Sequence, residues 1–250
     1  MRRGTLISDK LRSSLKKVVP ASVYKPIMSR WRRRPMVRWG NVRRLQPFSA
    51  EMGLDRGHGI DRYYIESFLQ ANSADIKGTV LEIADNNYTL QFGGSDVERS
   101  EVLHAVAGNP RATLVGNLET GENIPANTFD CIICTQTFPF LYDFKGAIRS
   151  CHRALKPGGV LLATFAGITQ VSRYDMDRWG DYWRFTTLST KRMFAEIFDL
   201  PDVTVTAHGN VLTSVSSLLG LAVEDLRKSE LDYVDRDYEQ LITVRAVKSA

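Results

Sequence analysis

The chain is poor in cysteine and has no long apolar run. Three cysteines occur in 250 residues, Cys131, Cys134 and Cys151, which is too few for a disulfide framework and favours a reducing compartment. No stretch reaches the length of about 18 apolar residues that a membrane-spanning helix needs. The basic N-terminus also lacks the continuous apolar segment of a secretory signal. A cytoplasmic protein without a spanning helix is therefore expected.

The cysteine content also bears on metal binding. Cys131 and Cys134 have the C-x-x-C spacing found in metal and redox sites. They lie, however, in the apolar segment FDCIICTQTF, which predicts a buried strand whose residues three apart point to opposite faces. The sequence therefore predicts two buried thiols and no metal site.

Acidic residues are scarce at one end of the chain. Residues 1–44 contain 14 Lys and Arg against one acid, a net charge of +13, whereas the remainder contains 19 basic and 27 acidic residues, a net charge of −8. The overall charge of +5 thus belongs to a basic arm, and the acidic body argues against nucleic acid as a partner. We expect an arm over residues 1–45 and a single domain over residues 46–250.

The arm has features of a membrane-binding segment. Leu11 and Leu15 stand at helical spacing among basic residues, and Trp31 and Trp39 follow in a run rich in arginine. A basic amphipathic segment with tryptophan favours an anionic membrane surface, here the inner face of the membrane. A solvated charged tail and, in a eukaryotic source, a transit peptide are the alternatives.

From residue 46 onward, short apolar runs alternate with amphipathic stretches. This alternation predicts an α/β fold with a mostly parallel sheet covered by helices on both faces. The predicted strands are 79–84, 97–103, 112–116, 129–135, 159–165, 202–207 and 240–247. The predicted helices are 61–72 with Asp61 as a cap, 144–155, 188–198 and 211–226.

Glycine is missing where it would be most informative. The segment GTVLEIADNNYTLQFGG, from Gly78 to Gly94, places Glu82 near the end of a buried strand and then continues through Ala84, Asn86 and Tyr88. About 70 residues later comes LKPGGVLLAT, in which Pro157, Gly158 and Gly159 predict a sharp turn before a strand.

These segments resemble the class I S-adenosylmethionine (SAM)-dependent methyltransferases. Residues 46–250 resemble a bacterial subgroup found with glycan-modifying enzymes. The resemblance implies a Rossmann-like sheet of seven strands, SAM as cofactor, and O-methylation of a glycan or glycolipid precursor. Members of the family carry alternating glycines after the first strand, and all three are replaced here. Asn86 and Asn87 can adopt the left-handed backbone that glycine supplies, but the methyl group of Ala84 lies where the backbone should approach the cofactor.

The resemblance also assigns roles to individual residues. Glu82 would contact the amino acid end of the cofactor, and Glu101, expected near the end of the second strand, would accept both ribose hydroxyls. Asn117 would lie beside the adenine, and Thr135 and Gln136 would flank the sulfonium. A surface acid and an ordinary loop residue are the alternatives for Glu101 and Gln136. The full expected cofactor set is Glu82, Ala84, Asp85, Asn86, Tyr88, Glu101, Asn117, Leu118, Thr135 and Gln136.

The loop after the fifth strand, Gly167 to Ser189, is polar and aromatic and suits a sugar acceptor. His58, Tyr174 and Asp177 are the candidates for a catalytic base. Alternatively, Asp181 and Arg184 form an ion pair that pins the loop, while Thr186 or Thr187 caps the next helix.

Two other functions stay open at this point. The lost glycines favour a non-catalytic scaffold that no longer binds the cofactor. The basic arm could instead serve methylation of RNA or protein by contacting phosphates. The sequence leaves the oligomeric state open.

Overall fold

A computed structural model of the chain describes residues 20, 22–23 and 40–249. The chain divides into two compact units, residues 1–44 and residues 45–250. In the first unit the structure describes a 3-10 turn at Gly40–Val42, whereas the predicted amphipathic segment and its tryptophans lie outside the described residues. Over the part of the chain that the structure describes, no helix has the length and apolar character to cross a membrane.

The second unit contains a sheet of seven strands in the order β3-β2-β1-β4-β5-β7-β6. Neighbouring strands run parallel except that β7 is antiparallel to both β5 and β6. This arrangement confirms the predicted Rossmann-like, mostly parallel sheet. The strands are β1 Gly78–Ile83, β2 Val97–His104, β3 Leu114–Val115, β4 Phe129–Cys134, β5 Leu155–Ala166, β6 Val203–His208 and β7 Leu241–Val247.

Seven α-helices of this unit accompany the sheet among the described residues. They are α1 Ile60–Ala71, α2 Asn87–Phe92, α3 Phe144–Ala154, α4 Arg173–Met176, α5 Thr187–Ala195, α6 Val211–Leu218 and α7 Lys228–Leu231.

The helix ends correct three predictions. Helix α1 begins at Ile60 with Gly59 as its N-cap, so Asp61 lies in the first turn and does not cap the helix. Helix α6 ends at Leu218, well short of residue 226, because Gly220 turns the chain with a φ of 69°. Helix α2 follows β1 where only a turn was expected.

The turn at LKPGG also differs from its prediction. Helix α3 ends at Ala154, one residue earlier than expected, and Leu155 already pairs with Phe129 of β4. The register between β4 and β5 shifts after that pair, and Gly158 adopts a φ of 78°. Pro157 and the glycines therefore form an irregular start of β5, not a separate connection.

Alternating residues of the strands supply two apolar cores, one on each face of the sheet. On one face, Ile132 and Cys134 pack with Ile148 of α3 and Phe194 of α5. On the other face, Cys131 and Ile133 pack with residues of α1 that include Ile65 and Leu69. The prediction that Cys131 and Cys134 are buried on opposite faces is confirmed. Burial raises the pKa of Cys131 well above its ordinary range, so this thiol stays protonated.

The strand directions bring one set of residues to a single edge of the sheet. Strands β1, β2, β4 and β5 are parallel and end together, and β7, being antiparallel, begins at the same edge. Gln240, just before β7, accepts a hydrogen bond from Gly167 N–H after β5 and donates its own N–H to His208 O. This is the edge at which open α/β sheets bind ligands.

Candidate active site

A cavity of about 420 Å³ opens at this edge, within the range of ligand sites in proteins. Its walls come from α1, the ends of β1, β2, β4 and β5, the loop after β5, one residue of α6 and the residue before β7. Over the described residues, no group of three His, Cys, Asp or Glu side chains could hold a metal ion.

Glu82 supplies a buried carboxyl group to the cavity. The side chain is 2% exposed and accepts hydrogen bonds from Tyr88 N–H at 3.2 Å, Thr89 N–H at 2.8 Å and the Thr89 hydroxyl at 2.7 Å. Burial raises the pKa of Glu82 to about 7, although these hydrogen bonds act in the opposite direction. The Glu82 carboxyl group thus connects β1 to α2 by hydrogen bonds, and its pKa lies near neutral pH.

Ala84 occupies the first of the expected glycine positions and adopts a backbone conformation that is typical of glycine. Its φ is 72°, in the left-handed region that costs a residue with a Cβ about 1–2 kcal/mol. Ala84 N–H donates to Leu103 O, and Ala84 O accepts from the Asn109 amide at 2.8 Å. These bonds hold the strained turn against β2.

The asparagines do not make this turn, which corrects the prediction made for them. Asn86 has a φ of −127° and precedes α2, while Asn87 is the first residue of that helix. Asn86 reaches Ser100 on β2 at 3.1 Å, and Asn87 is bound through its own N–H to Asp85 at 3.1 Å. Of the loop residues, Ala84, Asp85 and Tyr88 line the cavity.

Tyr88 closes one wall together with Arg62 of α1. The Arg62 guanidinium donates to the Tyr88 hydroxyl at 2.8 Å. Burial raises the pKa of Tyr88, and the positive charge of Arg62 opposes that shift. Both residues therefore keep their ordinary protonation states, with Arg62 the fixed cation of this wall.

The last residue of β2 is His104, and Glu101, which was expected near the end of this strand, lies three residues before it. Strand β2 continues three residues past Glu101, which stands opposite Leu81 in mid-strand, is 5% exposed and forms an ion pair with Arg99. Glu101 is not part of the cavity wall, whereas His104 and Ala105 are. The predicted strand, 97–103, already extended two residues past Glu101.

Asn117 and Leu118 also lie away from the cavity, contrary to their predicted place beside the adenine. Asn117 closes a turn, because its side-chain oxygen accepts from Glu119 N–H at 2.8 Å and its backbone pairs with Glu122. Leu118 is buried in the apolar core beneath the sheet. Strand β3 is only two residues long, so the chain turns before it reaches the cavity.

Thr135 and Gln136 follow β4 and line the cavity as expected. Gln136 has a φ of 48°, and its N–H donates to the Thr164 hydroxyl of β5 at 3.0 Å. Gln136, like Ala84, therefore lines the cavity with a left-handed backbone although it is not glycine. The two residues follow the neighbouring strands β4 and β1.

The loop after β5 is pinned by the predicted ion pair. Arg184 binds both carboxylate oxygens of Asp181 at 2.5 and 2.9 Å and also reaches Gln170 O at 2.7 Å. Burial would raise the pKa of Asp181, but the hydrogen bonds from Arg184 and from Ser172 N–H outweigh it and hold that pKa below its usual range. Thr186 caps α5 in a capping box with Ser189. The structural interpretation of this segment is confirmed, and Asp181 and Arg184 line the cavity in addition.

The three predicted catalytic residues lie outside the cavity wall. His58 pairs with Glu66 of α1 at 3.2 Å, Tyr174 is 66% exposed beneath the Arg178 guanidinium, and Asp177 follows the end of α4 on the surface. Asp175, two residues before Asp177, does line the cavity and accepts from the Ser172 hydroxyl at 2.5 Å. Nothing in the sequence distinguishes these two aspartates, because only the orientation of α4 determines which of them faces the cavity.

Gln240 is a cavity residue that the sequence did not single out. It is 3% exposed, and neither its amide nitrogen nor its amide oxygen has a hydrogen-bond partner among the described residues. Buried amides without partners are rare and costly. Gln240 reaches the cavity because β7 is antiparallel and begins at the ligand edge of the sheet. The sequence did not reveal this strand direction.

The cavity fits a cofactor such as SAM. Glu82 and the turn at Ala84 form one end, His104 offers a hydrogen-bonding group at the end of β2, and Thr135 and Gln136 follow β4. The strained left-handed backbone at Ala84 is where a glycine turn would bring the chain against a ligand.

Residues 67–163 match the family described as methyltransferase domain. This match identifies the chain as a methyltransferase, with SAM as its cofactor. Among curated protein sequences, none matches the chain significantly.

Solved structures share the fold of the methyltransferase. A SAM-dependent methyltransferase from Thermotoga maritima has 16% identity and a TM-score of 0.50, with 76% of this chain and 92% of that chain covered. A phosphoethanolamine N-methyltransferase from Haemonchus contortus in complex with SAM has 14% identity and a TM-score of 0.50, with 85% and 55% covered. A structure of the same enzyme with S-adenosylhomocysteine (SAH) and phosphomonomethylethanolamine has 15% identity and a TM-score of 0.50, with 83% and 54% covered.

Proposed function

We propose that this methyltransferase transfers the methyl group of SAM to a sugar hydroxyl of a glycan or glycolipid precursor. The observation that carries the proposal is the polar and aromatic lining that the loop after β5 and the residue before β7 give to the cavity. The lining residues are Thr169, Gln170, Ser172, Asp175, Trp179 and Gln240, and the Trp179 ring reaches His104 at the end of β2.

The order of the strands separates Gln240 from the cofactor end. From β1 the sheet continues through β4 and β5 to β7, and neighbouring strands lie about 4.8 Å apart. The start of β7 is therefore about 14 Å across the sheet from the end of β1 and about 10 Å from the end of β4. A cofactor held at the ends of β1, β2 and β4 leaves the β5 and β7 side of the cavity for the acceptor.

The chemistry of the wall supports a sugar. Trp179 is 40% exposed and contacts His104 edge to face, and it offers an apolar ring of the kind that packs against sugar faces. The Gln240 amide can both donate and accept a hydrogen bond, as sugar hydroxyls do. Because the Gln240 amide has no partner among the described residues, a ligand hydroxyl would remove the cost of burying it.

Asp175 is the residue best placed to serve the acceptor. When bound, SAM supplies an electrophilic methyl group on a sulfonium. Asp175, on the acceptor side, orients the attacking hydroxyl and takes up its proton. The pinned loop holds the acceptor in line and excludes water, and such positioning supplies a large part of the rate enhancement in two-substrate reactions.

The basic arm supports a membrane-associated acceptor. Its net charge of +13 would attract the arm to an anionic leaflet, at about 1 kcal/mol for each cation near the surface. A lipid-linked sugar would then meet the cavity at the membrane surface.

The test is transfer of label from methyl-tritiated SAM to glycan and lipid fractions of the source organism. We expect label in monosaccharides after acid hydrolysis, identified as O-methyl sugars by gas chromatography and mass spectrometry. Label in protein or nucleic acid instead would contradict the proposed acceptor.

Two neighbouring aspartates provide a matched pair for the base. Asp175→Asn should lower kcat by about 10²- to 10⁴-fold, the usual contribution of a general base. Asp177→Asn removes an equal charge outside the cavity and should leave kcat unchanged. Equal kcat values for the two variants would exclude Asp175 as the base.

A further inference from the structure

Helix α6 has its polar face inside and its apolar face outside. Its four large apolar residues are exposed, Val211 at 48%, Leu212 and Val215 at 43% and Leu218 at 40%. The residues between them, Thr213, Ser214 and Ser216, are buried. A surface helix ordinarily buries its apolar stripe, so this inverted arrangement needs an explanation.

The inverted helix is held firmly in the domain. Asn210 caps it by accepting from Leu212 N–H at 2.9 Å and Thr213 N–H at 3.1 Å, and the Asn210 amide donates to Glu230 O and Tyr233 O at 2.7 Å. Phe48 N–H donates to Leu219 O just past its C-terminal end. The apolar face is therefore a fixed feature of the surface.

The helix that carries these residues also contributes to the cavity. Ser217 lines the cavity, whereas the four exposed apolar residues do not. Helical spacing at i, i+4 and i+7 places Val211, Val215 and Leu218 on one side. We call these residues with Leu212 the α6 apolar face.

We propose that the α6 apolar face is a membrane-docking surface that inserts into the headgroup region of an anionic bilayer, on the helix that contributes Ser217 to the cavity. The proposal rests on the proposed function only for the lipid-linked acceptor that such docking would serve.

The size of the face favours a bilayer over a second copy of the chain. Four side chains with less than half of their surface exposed present on the order of 300 Å², no more than an ordinary apolar surface patch. A stable dimer needs about 800 Å² on each partner. An interfacial lipid anchor, in contrast, requires only a shallow apolar face together with electrostatic attraction.

The charge of the chain supplies that attraction. The body alone carries −8 and would be repelled by anionic lipid, whereas residues 1–44 carry +13. Stable anchoring by weak elements takes two signals. The basic arm and the α6 apolar face provide one electrostatic and one apolar signal.

The experiment is co-sedimentation of the full chain with vesicles of phosphatidylcholine containing phosphatidylglycerol. Leu212→Gln combined with Leu218→Gln should reduce partitioning at least about tenfold, since each buried methylene adds to membrane affinity. The matched control combines Leu188→Gln with Leu200→Gln, at positions 77% and 51% exposed elsewhere on the domain, and should bind as the unaltered chain does. Equal binding by all three proteins would overturn the proposal.

Two further measurements show whether the α6 apolar face contacts lipid or a second copy of the chain. A fluorophore on Leu218→Cys should shift to the blue when vesicles are added, whereas one on Leu188→Cys should not, and equal shifts would overturn the proposal. If sedimentation velocity shows a dimer that only the α6 variant dissociates, a second copy covers the face and the proposal is wrong. SAH binding should be equal in all variants, so that loss of the proposed enzymatic function would be seen separately.

Discussion

At the scale of single residues, the cavity is built by side chains at the ends of strands and by the strained turn at Ala84. Glu82, Thr135 and Gln136 reach the cavity because each follows or ends a strand whose bounds were clear in the sequence. Glu101 does not, because it lies three residues before the end of β2, about 10 Å back along the strand. Two features depend on tertiary contacts that the local sequence does not encode. They are the position of Asp175 on the cavity wall and the buried Gln240 amide, which has no hydrogen-bond partner among the described residues.

Replacing Ala84 by glycine should stabilise the protein. At a φ of 72° alanine carries a strain of about 1–2 kcal/mol that glycine lacks, and the extra chain entropy of glycine cancels part of the gain. We expect Tm to rise by about 1–4 °C. Ala105→Gly, also on the cavity wall but without a positive φ, should lower Tm instead. A lower Tm for Ala84→Gly would show that the turn is unstrained.

Glu82 should make stability depend on pH. Its pKa is about 7 in the folded chain and near its ordinary value of 4.5 in the unfolded chain, so the unfolded state loses this proton first as pH rises. The free energy of unfolding should therefore fall between pH 4.5 and 7, by about 3 kcal/mol from this group. Urea unfolding of the unaltered chain and of Glu82→Gln across this range measures the effect. If the free energy of unfolding changes with pH equally in both proteins, Glu82 does not have a raised pKa in the folded chain.

At the scale of elements, the strands were the most predictable part of the fold. All seven appear within a few residues of their predicted places, because continuous apolar runs identify buried parallel strands. Helix bounds were less accurate, since α6 stops at a left-handed glycine turn. The inverted burial of α6 could not be predicted, because amphipathic spacing shows that two faces differ and leaves open which one is covered.

The loop after β5 should depend on its ion pair. Arg184→Gln would leave the nearly buried Asp181 carboxylate without its main partner, which costs about 1–3 kcal/mol and should lower Tm by about 3–10 °C. Arg178→Gln, which removes an exposed guanidinium from the same loop, should leave Tm nearly unchanged. Similar Tm values for both variants would mean that other contacts hold the loop.

At the scale of the whole molecule, charge and apolar surface are divided between parts of the chain. The first unit carries the excess positive charge, and the second carries the sheet, the cavity and the α6 apolar face. The second unit thus combines the proposed cofactor end at β1, β2 and β4 and the proposed acceptor end at β5 and β7 with a helix whose exposed face is apolar.

We propose that the turn without glycines still forms a working cofactor site, and calorimetric titration of the full chain with SAH measures this. We expect saturable binding, weakened about tenfold in His104→Ala by the loss of one hydrogen-bonding group and unchanged in Asn117→Ala, which lies outside the cavity. Absence of binding at millimolar SAH in both the unaltered chain and Ala84→Gly would show that this turn does not form a cofactor site.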